Sequence, residues 1–215
     1  MPWFFCVYFM KVGVLITIIK ERIEIFQPKL IILNGASGSG KTFAMEKMSE
    51  VSEYLQPIKK FTTRSPRSHE NVDTSVDLVF DVLRSEIQKC KYYYTYFNED
   101  YGICASEIDK TINIGKSPVV IIRDYNTIVS LQKDYKDSIV FYIHSAYTGQ
   151  ELVKILKEHG RDDIDADVRR VREIENFADY IRHLHLDLFH YHVYNYYDDS
   201  FVFQMKHYLS KHMEV

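Results

Sequence analysis

Residues 35–42 have the composition and spacing of a phosphate-binding loop. Two glycines, a lysine and a threonine occupy the fixed positions of the pattern GxxxxGK[ST], which here runs Gly35, Ala36, Ser37, Gly38, Ser39, Gly40, Lys41 and Thr42. Glycine lets successive backbone N–H groups turn toward one point, and a helix that begins there adds about half a positive charge facing a bound anion. The pattern therefore predicts binding of the triphosphate of ATP. A glycine-rich turn that binds nothing is the alternative.

The loop also offers groups that suit a magnesium ion. Lys41 can reach the outer phosphates as a point charge, and the Thr42 hydroxyl can coordinate an Mg²⁺ ion that bridges them. Asp124 follows an apolar run, where P-loop proteins place the acidic partner of this ion. We expect Mg²⁺ with ATP as the cofactor, held by Thr42 and Asp124, directly or through water. A solvated acid at a strand end is the alternative for Asp124.

Two arginines three residues apart form a second candidate anion site. The segment 62–70 reads TTRSPRSHE, with Arg64 and Arg67 in a polar stretch that has no hydrophobic period. A planar guanidinium group can bind two phosphate oxygens at once. The pair is predicted to hold the phosphate of an acceptor molecule. Two solvated arginines beside a proline are the alternative.

Composition limits the kind of protein that carries these motifs. The 215 residues are 46% hydrophobic and 27% charged, which is typical of one folded domain. A net charge of -3 gives no reason to expect a nucleic-acid partner. The three cysteines, Cys6, Cys90 and Cys104, form no CxxC pair, which favours a reducing cytoplasm over a disulfide framework or a zinc site.

Residues 1–28 are an apolar extension whose role the sequence leaves open. Residues 3–19 are almost wholly apolar, but Lys11 and Gly13 interrupt them and no clear cleavage site follows. A membrane role is therefore not expected. An extra buried strand, a loosely packed extension and a start codon assigned too far upstream are the alternatives.

Short β-branched runs alternate with amphipathic segments from Lys29 onward, which predicts an α/β fold with a parallel sheet between helices. Residues 30–33 should form the strand that enters the phosphate-binding loop, and residues 42–54 the helix that leaves it. Residues 119–122 and 139–143 read as central strands, so the sheet should have at least four members.

The remaining elements are predicted with less regular patterns. Strands are expected over 58–61, 77–80 and 191–194, and helices over 81–90 with Asp81 as its cap, over 106–115 with Ser106 as its cap, and over 152–157, 167–181 and 201–212.

With these elements in order, the chain resembles the guanylate kinases from Leu30 to about His212. Their phosphate-binding loop reads close to GxSGSGK[ST], their acceptor loop close to TTRxPRxGE, and a Tyr-Gly pair follows, seen here as Tyr101-Gly102. The resemblance implies a P-loop NTPase-type three-layer fold over residues 29–213, with an acceptor-binding insert at 62–105 and a lid at 159–167. It implies transfer of phosphate from ATP to a nucleoside monophosphate, GMP to GDP above all, by a monomer or homodimer.

The resemblance also implies roles for single residues. Arg64, Arg67 and Tyr101 would hold the acceptor phosphate, and Glu70 would border the acceptor pocket. Three more positions complete the set: a lid arginine at Arg170, a second at Arg161, which stands close to the family position at His159, and a residue near the adenine ring at Asn195.

Departures from the family pattern concentrate where guanine is read. Tyr92 and Ile122 stand where the family has acids, and three further positions also differ, at Lys60, Val76 and Ile103. A pocket that hydrogen-bonds a base discriminates by about 10⁴ or more, so loss of these groups should weaken GMP selectivity.

Three other interpretations stay open. One is a kinase of another phosphorylated small molecule, such as a sugar phosphate, with a relaxed or changed acceptor. Another is a non-catalytic guanylate-kinase-like module, although such modules usually lack a working phosphate-binding loop. The third is a zinc site at the two HxH pairs, His183 with His185 and His190 with His192.

Overall fold

The computed structural model of the protein describes residues 27–67, 70–147, 149–158 and 188–212. These ranges contain nine strands and seven helices. The strands are β1 (Ile31–Asn34), β2 (Leu55–Pro57), β3 (Lys60–Thr62), β4 (Leu78–Val79), β5 (Tyr92–Tyr96), β6 (Glu99–Ile103), β7 (Ser117–Ile121), β8 (Ile139–Ser145) and β9 (Tyr191–Asn195). The helices are α1 (Lys41–Glu46), α2 (Met48–Val51), α3 (Arg84–Ile87), α4 (Ala105–Asn113), α5 (Tyr125–Asp134), α6 (Gly149–Glu158) and α7 (Ser200–Leu209).

Five strands form a parallel sheet in the order β2-β7-β1-β8-β9. β1 lies at its centre, where Ile32 is level with Val120 of β7 and Val140 of β8. Strands buried on both faces read as continuous apolar runs, which is the pattern of these three strands. The sheet and its flanking helices confirm the predicted α/β fold class.

Alternate residues of segment 30–33 enter hydrophobic cores on opposite faces of this sheet. Ile31 and Leu33 belong to the core that includes residues of α1, α2 and α7, whereas Leu30 and Ile32 belong to the core with residues of α4 and α5. None of the four is more than 1% exposed. Burial of such a side chain contributes about 1.5–3 kcal/mol, so the strand that leads into the phosphate-binding loop is anchored from both sides.

A second, mixed sheet has the order β4-β3-β6-β5. β5 and β6 form a hairpin with the two-residue loop Phe97 and Asn98, whose φ angles of 50 and 63 suit a type I′ turn. The sheet spans residues 60–103 and so overlaps the range 62–105 expected to bind the acceptor. The division of the chain into domain, insert and lid stays a prediction.

Several element boundaries differ from the predicted ones. The helix expected over 42–54 is two short helices that meet at Lys47 and end before Ser52. The strand expected over 58–61 corresponds to β3, which begins at Lys60, and a further strand that was not predicted, β2, precedes it in the other sheet. Pro57 lies in β2, an edge strand, where a missing N–H is tolerated.

Two predicted helix caps are also wrong. α3 begins only at Arg84, with Leu83 at its N-cap. Asp81 adopts a positive φ of 55, and its carboxylate accepts a hydrogen bond from the Ser65 hydroxyl instead. α4 is preceded by Cys104 rather than Ser106.

Among the described residues, no helix is both long enough and apolar enough to cross a membrane. Cys90 and Cys104 are free thiols with their sulfurs 3.2 Å apart. Residues 1–26, the range 159–167 and the helix expected over 167–181 lie outside the described residues.

Candidate active site

The phosphate-binding loop connects β1 to α1 at the carboxyl edge of the parallel sheet. Three of its glycines adopt positive φ angles, 149 at Gly35, 80 at Gly38 and 91 at Gly40. Side-chain-bearing residues rarely adopt these angles, which is why the motif requires glycine. Lys41 folds back over the loop, and its Nζ donates to the carbonyls of Gly35 and Ala36 at 2.7 and 2.6 Å. The ammonium group is thus held at the position that phosphate oxygens must approach.

Asn195 in β9 and Tyr197 in the segment after it form hydrogen bonds with the phosphate-binding loop. Asn195 Nδ2 donates to the Ser39 carbonyl at 3.1 Å, and Asn195 Oδ1 accepts from the Tyr197 N–H at 2.8 Å. The Tyr197 hydroxyl donates to the Gly38 carbonyl. Asn195 is completely buried, and its side-chain amide bonds to the phosphate-binding loop and to the segment that follows β9. The adenine contact implied by the family resemblance stays a prediction.

Substitution of Gly40 by alanine is expected to weaken ATP binding by at least about tenfold and to destabilise the fold by about 1–3 kcal/mol, since a strained backbone residue costs that much. A Cβ at Gly40 would lie 1.8 Å from Asn195 Nδ2, so the loop must shift. Calorimetry with ATP and magnesium and thermal unfolding would measure the two effects.

Gly115→Ala is a matched control for that experiment. Gly115 also has a positive φ, 78, but nothing lies within 4 Å of a Cβ built there. This variant should lose stability through backbone strain alone and keep wild-type ATP affinity. Equal losses of ATP affinity in the two variants would contradict the role given to Gly40.

Glu70 organises the segment 62–70 that carries Arg64 and Arg67, called the arginine loop below. Arg64 Nη1 and Nη2 donate to the two carboxylate oxygens of Glu70 at 2.7 and 3.0 Å. The backbone N–H of Arg67 donates to the same carboxylate at 2.8 Å, and the Arg67 guanidinium lies 3.9 Å from it. A bidentate pair fixes the plane of the guanidinium. Glu70 therefore sets the orientation in which both arginines face the cavity.

Charge and burial act in opposite directions on this ion pair. Burial alone would raise the pKa of Glu70, but the hydrogen bonds from Arg64 and Arg67 outweigh it and lower the pKa. Burial would lower the pKa of Arg64, but Glu70 and Tyr101 more than offset it and raise the pKa. The depressed carboxyl pKa stabilises the fold at neutral pH, and this contribution is lost as the pH falls through that pKa.

One cavity of about 260 Å³ joins the two anion sites. Its walls come from the phosphate-binding loop, the arginine loop, the mixed sheet, the helices α1 and α6, and the segments that follow β7 and β9. The lining residues are Ser37, Gly38, Gly40, Lys41, Thr42, Phe43, Lys60, Arg64, Arg67, Glu70, Tyr94, Tyr101, Arg123, Leu156 and Tyr197. The structure thus brings together groups that the sequence separates by about twenty residues or more.

The two predicted magnesium ligands differ in their surroundings. Thr42 lines the cavity next to Lys41, so its hydroxyl suits an ion that bridges bound phosphates. Asp124 caps α5, because its Oδ2 accepts from the backbone N–H and the hydroxyl of Thr127, both at 2.7 Å. Asp124 is not among the cavity-lining residues. Thr42 fits the ion directly, whereas Asp124 fits only a more distant contact.

Six cavity residues had no predicted contact in the site: Phe43, Lys60, Tyr94, Arg123, Leu156 and Tyr197. Lys60 is only 6% exposed, and a lysine is rarely buried to that extent. The sequence did contain a signal for Lys60, which departs from the family pattern just before the arginine loop. Arg123 ends a predicted strand, and Tyr197 follows one, where functional side chains are often placed.

The residues that stand in place of the family's acids do not line this cavity. Tyr92 turns toward α5, where its hydroxyl donates to Asp134 at 2.7 Å. Ile122 is completely buried in the core with residues of α4 and α5. Neither position therefore offers a group that reads a base.

Some sequence-based candidates lie outside the described residues: His159, Arg161, Arg170, His183 and His185. The other histidine pair is described. His190 Nδ1 accepts from the Val140 N–H, and His192 Nδ1 lies 2.9 Å from His144 Nε2. Within the described ranges, no three histidine, cysteine or acidic residues form a group that could hold a metal ion.

Comparison with known proteins bears on what such a cavity does. No protein-family model matches the chain. The chain is 26% identical over 161 residues to a guanylate kinase of Bdellovibrio bacteriovorus, an alignment that covers 69% of this chain and 85% of the relative. Guanylate kinase from Anaplasma phagocytophilum shares the fold, with a TM-score of 0.59 at 15% identity over 89% of this chain and 90% of that one. The chain is thus similar in sequence to one guanylate kinase and shares its fold with another.

Proposed function

We propose that the chain transfers the γ-phosphoryl group of ATP to the phosphate of a nucleoside monophosphate. The similar proteins are guanylate kinases, which favours GMP as the acceptor and GDP as the product. The observation that carries this proposal is the single cavity lined by both the phosphate-binding loop and the arginine loop. A donor triphosphate at Lys41 and an acceptor phosphate at Arg64 and Arg67 would face each other across it. That arrangement suits direct transfer between two bound substrates.

The reaction needs no covalent intermediate with the protein. An oxygen of the acceptor phosphate attacks the γ-phosphorus in line, and the bond to the bridging oxygen breaks so that ADP leaves with its electron pair. Lys41 neutralises charge on the outer phosphates. Arg64 and Arg67 neutralise the acceptor phosphate and align its attacking oxygen. Positioning and charge therefore supply the catalysis.

Magnesium, when bound with ATP, neutralises charge on the β- and γ-phosphates, and Thr42 and Asp124 are the residues that would hold it. Arg161 and Arg170 are proposed to add positive charge over the transferring group. We also propose a cytoplasmic location and a monomeric or homodimeric state, as the resemblance to guanylate kinases implies.

The proposal is tested by measuring ADP release with ATP, magnesium and GMP in a coupled assay. We expect ADP formation that depends on the acceptor and is far slower with ATP alone. Absence of ATP binding by calorimetry, together with no ADP release for any acceptor, would contradict the proposal and favour a non-catalytic binding module.

A second candidate is a kinase of another phosphorylated small molecule. The observation that favours it is that Tyr92 and Ile122, in place of two acids, point away from the cavity. The same assay with sugar phosphates decides between the two candidates. Strong turnover with GMP and none with any sugar phosphate would reject the second.

A further inference from the structure

The acceptor side of the cavity contains a buried lysine next to the arginine loop. Lys60 belongs to β3, is 6% exposed and lines the cavity. Its Nζ donates to the Ile121 carbonyl at 2.8 Å and lies 5.8 Å from the centre of the Tyr101 ring. An ammonium group has three hydrogens to donate, and burial of one that is incompletely bonded is costly. Such a group suits a ligand atom that accepts hydrogen bonds.

A second donor, the hydroxyl of Tyr94, belongs to a ring that stacks on the same tyrosine. Tyr94 stacks on Tyr101 with ring centres 5.3 Å apart, is 6% exposed and lines the cavity. Its hydroxyl is buried, with the Arg123 backbone close enough to act on its pKa and no side-chain partner among the described residues. A buried hydroxyl whose hydrogen finds no acceptor is costly, so Tyr94 also gains from a ligand that supplies one.

Acceptors of hydrogen bonds are scarce on the same wall. Of the described cavity-lining residues, Glu70 carries the one carboxylate, and both of its oxygens already accept from Arg64. Reading the N1–H and 2-amino groups of guanine requires acceptors of this kind. Among the described residues, the part of the cavity lined by Lys60, Tyr94 and Tyr101 therefore offers donors to a ligand and no uncommitted carboxylate.

We propose that Lys60 and Tyr94 select the acceptor by a carbonyl oxygen of its base, as carried by 6-oxopurines and 4-oxopyrimidines, and reject bases with an amino group there. An amino group there would place donor against donor at Lys60 and leave its ammonium group unpaired. The purine 2-amino group is not read, so IMP and GMP serve equally well. This inference rests on the proposed transfer to nucleoside monophosphates.

The test compares kcat/KM for GMP, IMP, UMP, AMP and CMP with ATP and magnesium. GMP and IMP should agree within about threefold, and AMP should be at least about 10²-fold worse than IMP, since a site left with unpaired polar groups rejects the wrong ligand strongly. UMP against CMP separates recognition of the carbonyl from recognition of the purine ring. A strong preference for GMP over IMP, or equal use of AMP and IMP, would overturn the inference.

Three variants assign the effect to these side chains. Lys60→Met keeps the length of the side chain and removes the donor, and should reduce the IMP to AMP ratio by at least about tenfold. Tyr94→Phe removes only the hydroxyl, and it provides the same test of the IMP to AMP ratio if Lys60→Met does not fold. Lys59→Met is the matched control, because Lys59 is the exposed neighbour and should leave the ratio unchanged. An unchanged ratio in both site variants would refute the assignment.

The pH profile provides a readout that a purely structural role would not move. Burial lowers the pKa of Lys60 to about 8, with Asp77 acting against this shift and Arg123 and Arg64 reinforcing it. Tyr94 and Tyr101 are the other titratable groups beside it. Loss of the proton weakens Lys60 as a donor, so KM for IMP should rise as the pH rises through about 8 in the wild type and stay flat in Lys60→Met.

Direct binding separates failure of the inference from failure of the proposed function. Calorimetry without ATP should show tighter binding of IMP than of AMP, and Lys60→Met should remove the difference. If no acceptor supports ADP release but this pattern holds, the phosphoryl-transfer proposal is wrong and the selectivity stands. Equal binding of IMP and AMP would overturn the selectivity whatever the turnover.

Discussion

Replacement of Lys41 by alanine is expected to lower kcat by about 10³-fold or more, comparable to the loss of a single cation from a phosphoryl-transfer site. Lys41 Nζ contacts the Gly35 and Ala36 carbonyls, which places the charge inside the phosphate-binding loop. Without it, negative charge that spreads over the transferring group is left uncompensated. Steady-state kinetics with saturating acceptor measure the effect, and thermal unfolding checks that the fold persists.

Lys47→Ala is the control for that substitution. Lys47 is a lysine only six residues further along, where it pairs with Glu50 at 2.6 Å on the surface. An exposed pair of this kind contributes little, so activity should stay within about twofold of the wild type. If Lys41→Ala retains near wild-type turnover, the phosphate-binding assignment is wrong.

The sequence predicted the site best where the chemistry is local in the chain. The phosphate-binding motif requires positive φ at Gly40 and a lysine directly after it, and both requirements are met within eight residues. The arginine pair with Glu70 likewise falls within seven residues, and the structure shows them in contact. In such short motifs, the spacing of residues in the sequence is enough to predict which side chains lie together.

Contacts between residues that are distant in sequence could not be predicted from motif spacing. Asn195 lies 156 residues from Ser39 in sequence, so its bond to the phosphate-binding loop could not be read from spacing. Asp124 shows a different limit. An acid after a strand can serve a metal ion, cap the next helix, or do both, and the cap depends on Thr127, which donates two hydrogen bonds to Asp124 Oδ2. Only the three-dimensional arrangement distinguishes these roles.

The fold was predicted in outline because apolar runs report burial on both faces of a sheet. Its boundaries failed where short elements meet. β2 and β3 are separated by only Ile58 and Lys59 yet join different sheets, and hydrophobic pattern cannot show a change of sheet. Lys60 is the first residue after this change of sheet, and it lines the cavity. The misplaced strand boundary and the unpredicted position of Lys60 therefore have the same structural cause.

Replacement of Arg64 by lysine should lower kcat/KM for the acceptor by about 10²-fold or more, since two charge-assisted hydrogen bonds of about 1.5–3 kcal/mol each are at stake. Lysine keeps the positive charge but cannot form the two-point contact that Arg64 makes with Glu70 at 2.7 and 3.0 Å. The affinity for ATP, measured by calorimetry, should stay within about threefold because Lys41 is untouched.

A double-mutant cycle with Glu70→Gln tests whether Arg64 acts through its orientation. Glu70→Gln keeps the guanidinium but weakens the contacts that fix its plane, so it should lower acceptor kcat/KM by only about tenfold. If orientation is the cause, adding Glu70→Gln to Arg64→Lys should cost far less than it does in the wild type. Full additivity of the two losses, or an equal loss of ATP affinity in Arg64→Lys, would show that Glu70 does not position Arg64 for the acceptor.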